Sequence, residues 1–447
     1  MLKALQRALK VEEVRKRLLY TFFMLVLIRF GSNLPIPGVD SAYLAGFFEA
    51  LDASGMGFVN AITGGSFASM SLFALSVSPY ITSSIIMQLL TIAIPRLEEM
   101  QKEGEDGRQK INDYTRYLTV VLAVIESTAM AVGLGGQGLI LPEHRNFWGY
   151  LTVVAAMTAG TALLMWIGEK ITEKGLGNGV SLIIMLNVVS GLPQDFMSLY
   201  QRFMSGKSVA VAAVAAIIII AIVVAVVVFV LILNGAVRRI PVQYSKKMQG
   251  RRMIGGQSSH IPLKVNTAGV IPVIFASSIM SMPSMIAQFF TIDYSTIGGK
   301  IIMALNSGNW FRPEAPLYSV GLIVYIVLIV LFAYFYTSIT FNPMEVANNM
   351  KKAGGFIPGI RPGKPTSDYL DDVLNYIVFI GACGLIIVCL VPIIASGLFN
   401  VGSLSFGGTS LIIVAGVVLE TIKQVESMML VRNYKGFLND YDGIITV

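Results

Sequence analysis

Stretches of about 20 predominantly apolar residues recur along almost the whole chain, and each is long enough to cross a bilayer's hydrocarbon layer as a helix. Ten are legible, at 18–37, 74–94, 117–135, 148–167, 179–193, 209–233, 268–290, 317–340, 373–395 and 407–425. No single water-soluble core could bury so many. Of the 447 residues, 55% are hydrophobic and 13% charged, against roughly 25% charged in an average soluble protein. The apolar surplus must face lipid, which predicts an all-α polytopic membrane protein with ten transmembrane helices. No cleavable leader is expected ahead of the first run: Lys3, Arg7, Lys10, Arg15, Lys16 and Arg17 precede it, and it continues to Pro35-Ile36-Pro37-Gly38 without a small-residue cleavage site.

Lys and Arg alternate between the segments that separate the runs. Six precede the first run, five lie in 96–116, two in 168–178, seven in 234–266, four in 341–372 and three after 420, whereas the intervening segments hold five in all. Basic residues are retained on the cytoplasmic side during insertion, so both termini and the long basic loops are expected there. Ten runs divide into five and five. An odd number per half requires two related halves to be inserted upside down relative to each other. The expected division is 1–200 against 201–447, without visible residue-level similarity between the halves.

Between the first two runs, Gly57 to Ser71 reads GFVNAITGGSFASMS, which is too short to cross. Small residues around Gly64-Gly65 fit a re-entrant half-helix wrapped by protein, and an external amphipathic loop fits equally well. Charge within the runs is scarce: Arg29 and Glu126, with Glu169 and Glu420 near run ends. Coupled carriers place carboxylates at mid-membrane, so one such residue argues against an ion-driven transporter, the rival that shares this topology. Cys383 and Cys389 lie six apart on one run, about 240° around a helix, and His144 and His260 have no ligand-like neighbours. No metal site or cofactor is expected. Gly133-x-Gly135-x-x-Gly138 matches a dinucleotide fingerprint by letter only, since it follows a membrane run and opens no helix. No Gly-x-x-x-x-Gly-Lys-[Ser/Thr] string occurs, so neither ATP hydrolysis nor other enzymatic activity is expected of the chain.

Segment 234–266 carries Arg238, Arg239, Lys246, Lys247, Arg251, Arg252 and Lys264 with no acidic residue. That density favours an anionic partner such as RNA, acidic protein or lipid headgroup, beyond its role as a topology signal. Segment 341–372 contains Gly354-Gly-Phe-Ile-Pro-Gly-Ile-Arg-Pro-Gly363, whose turns present Arg361 at a defined place; a solvated bend has the same composition.

The strings Pro35-Ile-Pro-Gly38, Pro79-Tyr-Ile, Gly175-Leu-Gly-Asn-Gly179, Arg238-Arg-Ile-Pro241, His260-Ile-Pro-Leu-Lys-Val-Asn266, Gly269-Val-Ile-Pro272, Phe341-Asn-Pro343, Pro358-Gly-Ile-Arg-Pro-Gly363 and Phe406-Gly-Gly-Thr-Ser410 resemble, in order and spacing, the bacterial SecY family, channel subunits of the Sec protein translocase. The resemblance implies two inverted five-helix halves around an hourglass pore in the bacterial cell (inner) membrane. It implies a plug within Phe58 to Met70, including Asn60, Gly64, Gly65 and Phe67, and a pore ring of Val77, Ile81, Ile85, Val180, Ile184, Ile274 and Ile413. Two ring positions are Val where the family usually has Ile. Without the resemblance these residues read as lipid-facing or packing positions. The first five are spaced i, i+4, which places each set on one helix face. It further implies a lateral gate between the second and third runs on one side and the seventh and eighth on the other, with Thr82, Glu126 and Asn266 at its seam, Glu126 standing where Gln is common. SecA ATPase or a translating ribosome would meet Arg238, Arg239, Lys246, Lys247, Arg251, Arg252 and Arg361. SecE and SecG would complete a heterotrimer in lipid, and signal peptides with nascent or secretory polypeptides would be the cargo.

Overall fold

A computed structural model describes residues 11–40, 63–67, 69–203, 205, 209–244, 247–249, 252–254, 258–287, 296–305, 310, 316–399 and 408–442. Every one of the ten apolar runs falls on a helix. These are α1 (Glu12–Gly31), α2 (Ser78–Ala93), α4 (Glu105–Leu134), α5 (Phe147–Lys174), α6 (Gly179–Phe203), α7 (Val209–Gly235), α8 (Ile271–Ala287), α10 (Val320–Thr340), α12 (Lys364–Phe399) and α13 (Gly408–Asp442). Short helices α3 (Pro95–Lys102), α9 (Ile297–Leu305) and α11 (Pro343–Lys352) lie between them. Among the described residues, five helices are by themselves long and apolar enough to span a membrane, six if the bent α2–α3 pair is one span.

Helix ends follow local chemistry. Pro95 forces Ile94 into extended backbone (φ −112°, ψ 110°), so α2 stops there and α3 restarts with Pro95 in its first turn, bent by 101°. The first helix ends at Gly31 rather than at Pro37. Residues 32–40 instead form turns that pair Pro35 with Ser71 and Val39 with Ile140. Pro193 does not end the fifth run's helix, and α6 continues through it to Phe203.

Packing sorts the long helices into two groups. In one, α4 packs on α2 and α5, α5 on α6, and α1 on α5 and α6; in the other, α8 packs on α10, α10 on α12, α12 on α13, and α7 on α12 and α13. The groups meet chiefly where α6 lies against α13, with a smaller contact to α7. Apolar side chains left outward, such as Ile217, Ile220, Val224 and Ile232 of α7, form faces suited to lipid.

The basic segment 234–266 is not only a loop. Strands β1 (Val237–Tyr244) and β4 (Ser258–Lys264) form an antiparallel hairpin, and β5 (Gly355–Phe356) joins the other edge of β1, giving the order β4-β1-β5. A smaller pair, β2 (Lys247–Gln249) and β3 (Arg252–Ile254), extends from it. Ile240, Val242 and Leu263 turn inward onto Met350, Ile357, Leu370 and Ile377, a small core that seats the sheet on α11 and on the first turns of α12. At about 1.5 Å per residue the 36-residue α12 is near 54 Å long. It outreaches the hydrocarbon layer, and its overhang carries this platform.

Candidate pore and its seal

Six of the seven ring positions meet in one apolar cluster. Val77 and Ile81 from α2 and the turn before it, Val180 and Ile184 from α6, Ile274 from α8 and Ile413 from α13 pack together, with Ile28, Phe73, Leu164, Ile167, Leu182 and Val417 around them. Ile85, one turn beyond Ile81, belongs to the adjoining cluster with Val273, Phe275, Ala276 and Ile412, and Ile81 touches both clusters. Four helices from both groups therefore converge on one apolar cluster to which these positions bring no polar group. An apolar lining of this kind cannot replace an ion's hydration shell.

Of the plug positions, Phe58 and Asn60 lie outside the described residues. Phe67 and Met70 are buried between α4 and α5 against Ala123, Met130, Ala131, Val153 and Met157. Gly64 has φ +64° and presses so close to α6 that a Cβ would stand 2.7 Å from Ser190 Oγ and 2.8 Å from Asn187 Cα, so only glycine fits. Gly65 also has positive φ but faces open space. Arg29 Nη1 donates to the Gly64 carbonyl and to Ser190 Oγ, both at 3.2 Å. Asn187 Nδ2 donates to Ser76 Oγ at 2.9 Å. Arg29 was visible in the sequence only as an isolated charge. Asn187 and Ser190 were visible only as polar letters in the fifth run.

The three seam positions are not joined to one another. Thr82 Oγ1 donates to the Ser78 carbonyl of its own helix at 3.1 Å, and Asn266 Nδ2 donates to Asn234 Oδ1 at 2.8 Å, tying the two ends of the basic segment. Glu126 Oε2 on α4 is buried without a hydrogen-bond partner among the described residues. What crosses the seam from α2 to α8 is apolar: Ile81 and Ile85.

At the basic end, Arg238 and Arg239 are exposed on β1, opposite Leu263 and Pro262 of β4. Arg361 is exposed in the turn after β5, its carbonyl accepting from Thr366 Oγ1 at 2.8 Å. The structure thus brings the two basic loops into one platform, which sequence spacing did not reveal. Lys247 and Arg252 lie on β2 and β3, and Lys246 and Arg251 are outside the described residues.

A second junction, absent from the sequence reading, lies at the same end. Leu176 is buried with Val14 of α1 and Val425 of α13, its N–H donating to Thr21 Oγ1 at 3.0 Å, and the Gly177 N–H donates to Gln424 Oε1 of α13. The loop at 175–178 thereby ties α1 to α13, one helix from each group.

A sequence profile of the SecY family matches residues 71–422. The chain is 44% identical over 450 residues to the protein translocase subunit SecY of Streptomyces scabiei, covering 98% of this chain and all of that one. Its fold superposes with a TM-score of 0.60, at 19% identity, on a structure describing how the plug domain of a SecY protein stabilises the closed channel, over 93% of this chain and 92% of that one. It superposes with a TM-score of 0.59, at 15% identity, on an idle yeast Ssh1 complex bound to the yeast 80S ribosome, over 94% and 89%. With a profile spanning most of its length and a full-length relative at this identity, the chain belongs to the SecY family of protein translocase subunits.

Proposed function

We propose that this chain forms the pore of a bacterial Sec translocase, passing unfolded secretory polypeptides through its centre and releasing apolar segments sideways into lipid. The carrying observation is the single apolar cluster into which α2, α6, α8 and α13 deliver Val77, Ile81, Val180, Ile184, Ile274 and Ile413. An apolar gasket of branched side chains moulds to any passing chain while excluding ions, since it offers no fixed hydrogen-bonding group to select a sequence. A small-solute carrier needs polar groups converging on a site, and this centre supplies none from those positions. At rest the segment beginning at Gly64 seats beside the ring. A signal peptide enters at the α2–α8 seam, where the apolar contacts of Ile81 and Ile85 are exchangeable for incoming apolar surface. The platform of β1, β4 and β5 faces the cytoplasm, where Arg238, Arg239 and Arg361 meet SecA or a ribosome, which supplies the energy. SecE and SecG cover outward apolar faces, and ten crossings in two inverted halves leave both termini in the cytoplasm.

The test is ion conductance and precursor export in reconstituted bilayers. Replacing Ile81, Ile184 and Ile274 together with Gly is expected to raise resting conductance while SecA-driven export persists. Unchanged conductance would remove these residues from the seal.

A further inference from the structure

We propose that Arg29, Asn187 and Ser190 form a polar clamp that holds segment 64–76 at Gly64 and Ser76 to α1 and α6, so that this segment is anchored by side chains of the N-terminal helix group. The inference rests on reading Phe58 to Met70, which includes the Gly64 end of this segment, as the plug.

The clamp lies along one face of α6. From Val180 and Ile184 of the ring, the helix carries Asn187 one turn on and Ser190 a turn beyond, at about 1.5 Å of rise per residue and near-heptad spacing. The same face thus supplies the gasket and then the grip. At the first end of the segment, Arg29 Nη1 reaches the Gly64 carbonyl and Ser190 Oγ, both at 3.2 Å. Ser190 Oγ lies 3.3 Å from the Gly64 carbonyl and 2.7 Å from the Asn187 carbonyl, so its one proton is shared between two acceptors. At the other end, Asn187 Nδ2 donates to Ser76 Oγ at 2.9 Å. Asn187 and Ser76 are both buried.

Two backbone features show that these bonds hold the segment in place. Gly64 takes a left-handed conformation and touches α6 with no room for a side chain. Ser76 is left-handed too (φ +51°), which costs a non-glycine residue about 1–2 kcal/mol and persists only where surrounding contacts impose it. An arginine within an apolar helix is retained at a cost, and here its guanidinium is spent on a backbone carbonyl of this segment. Both anchoring helices belong to one packing group. When the groups part at the α2–α8 seam, the segment stays with α1 and α6 until the clamp itself breaks.

The experiment measures resting ion leak of proteoliposomes holding the assembled translocase, for the parent, for Asn187→Ala/Ser190→Ala, for a deletion of 58–70, and for the two changes combined. The double variant is expected to leak about tenfold more than the parent, as expected for loss of a buried hydrogen bond to the resting state. The deletion is expected to leak at least as much. Combining them should add little, because the deletion already removes the Gly64 end of the clamp and leaves only the Asn187–Ser76 bond to lose. A silent double variant beside a leaking deletion overturns the clamp and leaves the plug reading intact. A double variant that multiplies the leak of the deletion acts on the ring, which also overturns the clamp. A silent deletion overturns the plug reading and the clamp with it. Arg29→Lys keeps the charge but not the planar donor; parent-level leak there would remove Arg29 from the clamp.

Discussion

The two helix groups touch along two junctions that differ in their directional bonding. At the front, α2 meets α8 through Ile81 and Ile85, and the polar residues nearby turn away: Thr82 to its own helix and Asn266 to Asn234. At the back, α6 lies along α13 through apolar side chains too, but there the loop at 175–178, held to Thr21 of its own group by the Leu176 N–H, adds a directional bond across, the Gly177 N–H to Gln424. Apolar contact between helices in lipid carries no hydrophobic drive, because the tails are as apolar as Ile. Directional bonds between a buried backbone N–H and a side chain lose their energy as soon as they are bent. The front is therefore the cheaper of the two contacts to part, while the back resists displacement.

The largest effect is expected from Gly177→Val. Gly177 has φ +79°, and a Cβ there would stand 2.9 Å from Thr421 Oγ1 and 3.3 Å from Leu182 Cδ1. A β-branched residue adds left-handed strain to that crowding, for a loss of at least about 2 kcal/mol. Thermal unfolding of the purified complex should fall clearly below that of the parent. An unchanged melting curve would show the back junction to be slack.

Much of this contrast could not be read from the sequence, for physical reasons. The ten apolar runs, the stop at Pro95 and the basic asymmetry were legible because hydropathy and helix breaking are local. The β1–β4 hairpin was missed although Ile240, Val242 and Leu263 alternate with exposed residues, since seven positive charges made the segment read as a basic loop. Pro241 is tolerated because β5 reaches only Gln243 and Tyr244, leaving an open edge on that side. Ring residues are anonymous among so many Val and Ile, and only the family resemblance singled them out. Gln424 and Gly177 are 247 residues apart, and nothing local to either announces the bond.

Next in size is Gln424→Ala. It strands the buried Gly177 N–H, an expected loss of about 1–3 kcal/mol, without introducing strain. Beyond lowering stability it should loosen the back junction specifically. Hydrogen exchange at the amides of 175–178 should accelerate, while amides of α2 keep the parent's protection. Equal acceleration in both places would mean that the two junctions are mechanically one.

The smallest effect is expected at the front. Thr82 is half-buried at the seam, yet its hydroxyl is spent on the Ser78 carbonyl of its own helix, 3.1 Å away. Thr82→Val keeps the shape and removes only that local bond, and a hydroxyl that bonds back four residues adds little to a helix already hydrogen-bonded along its backbone. The cost should be under about 0.5 kcal/mol, as for substitutions that touch no special feature. Resting leak and export should match the parent. The result is diagnostic because the family resemblance places Thr82 among the gate's polar positions. If Thr82→Val loosens the front as much as Gln424→Ala loosens the back, then a polar contact across the seam holds the closed channel. The front would then be stitched like the back, and the asymmetry between the two junctions would have to be sought in length rather than in chemistry.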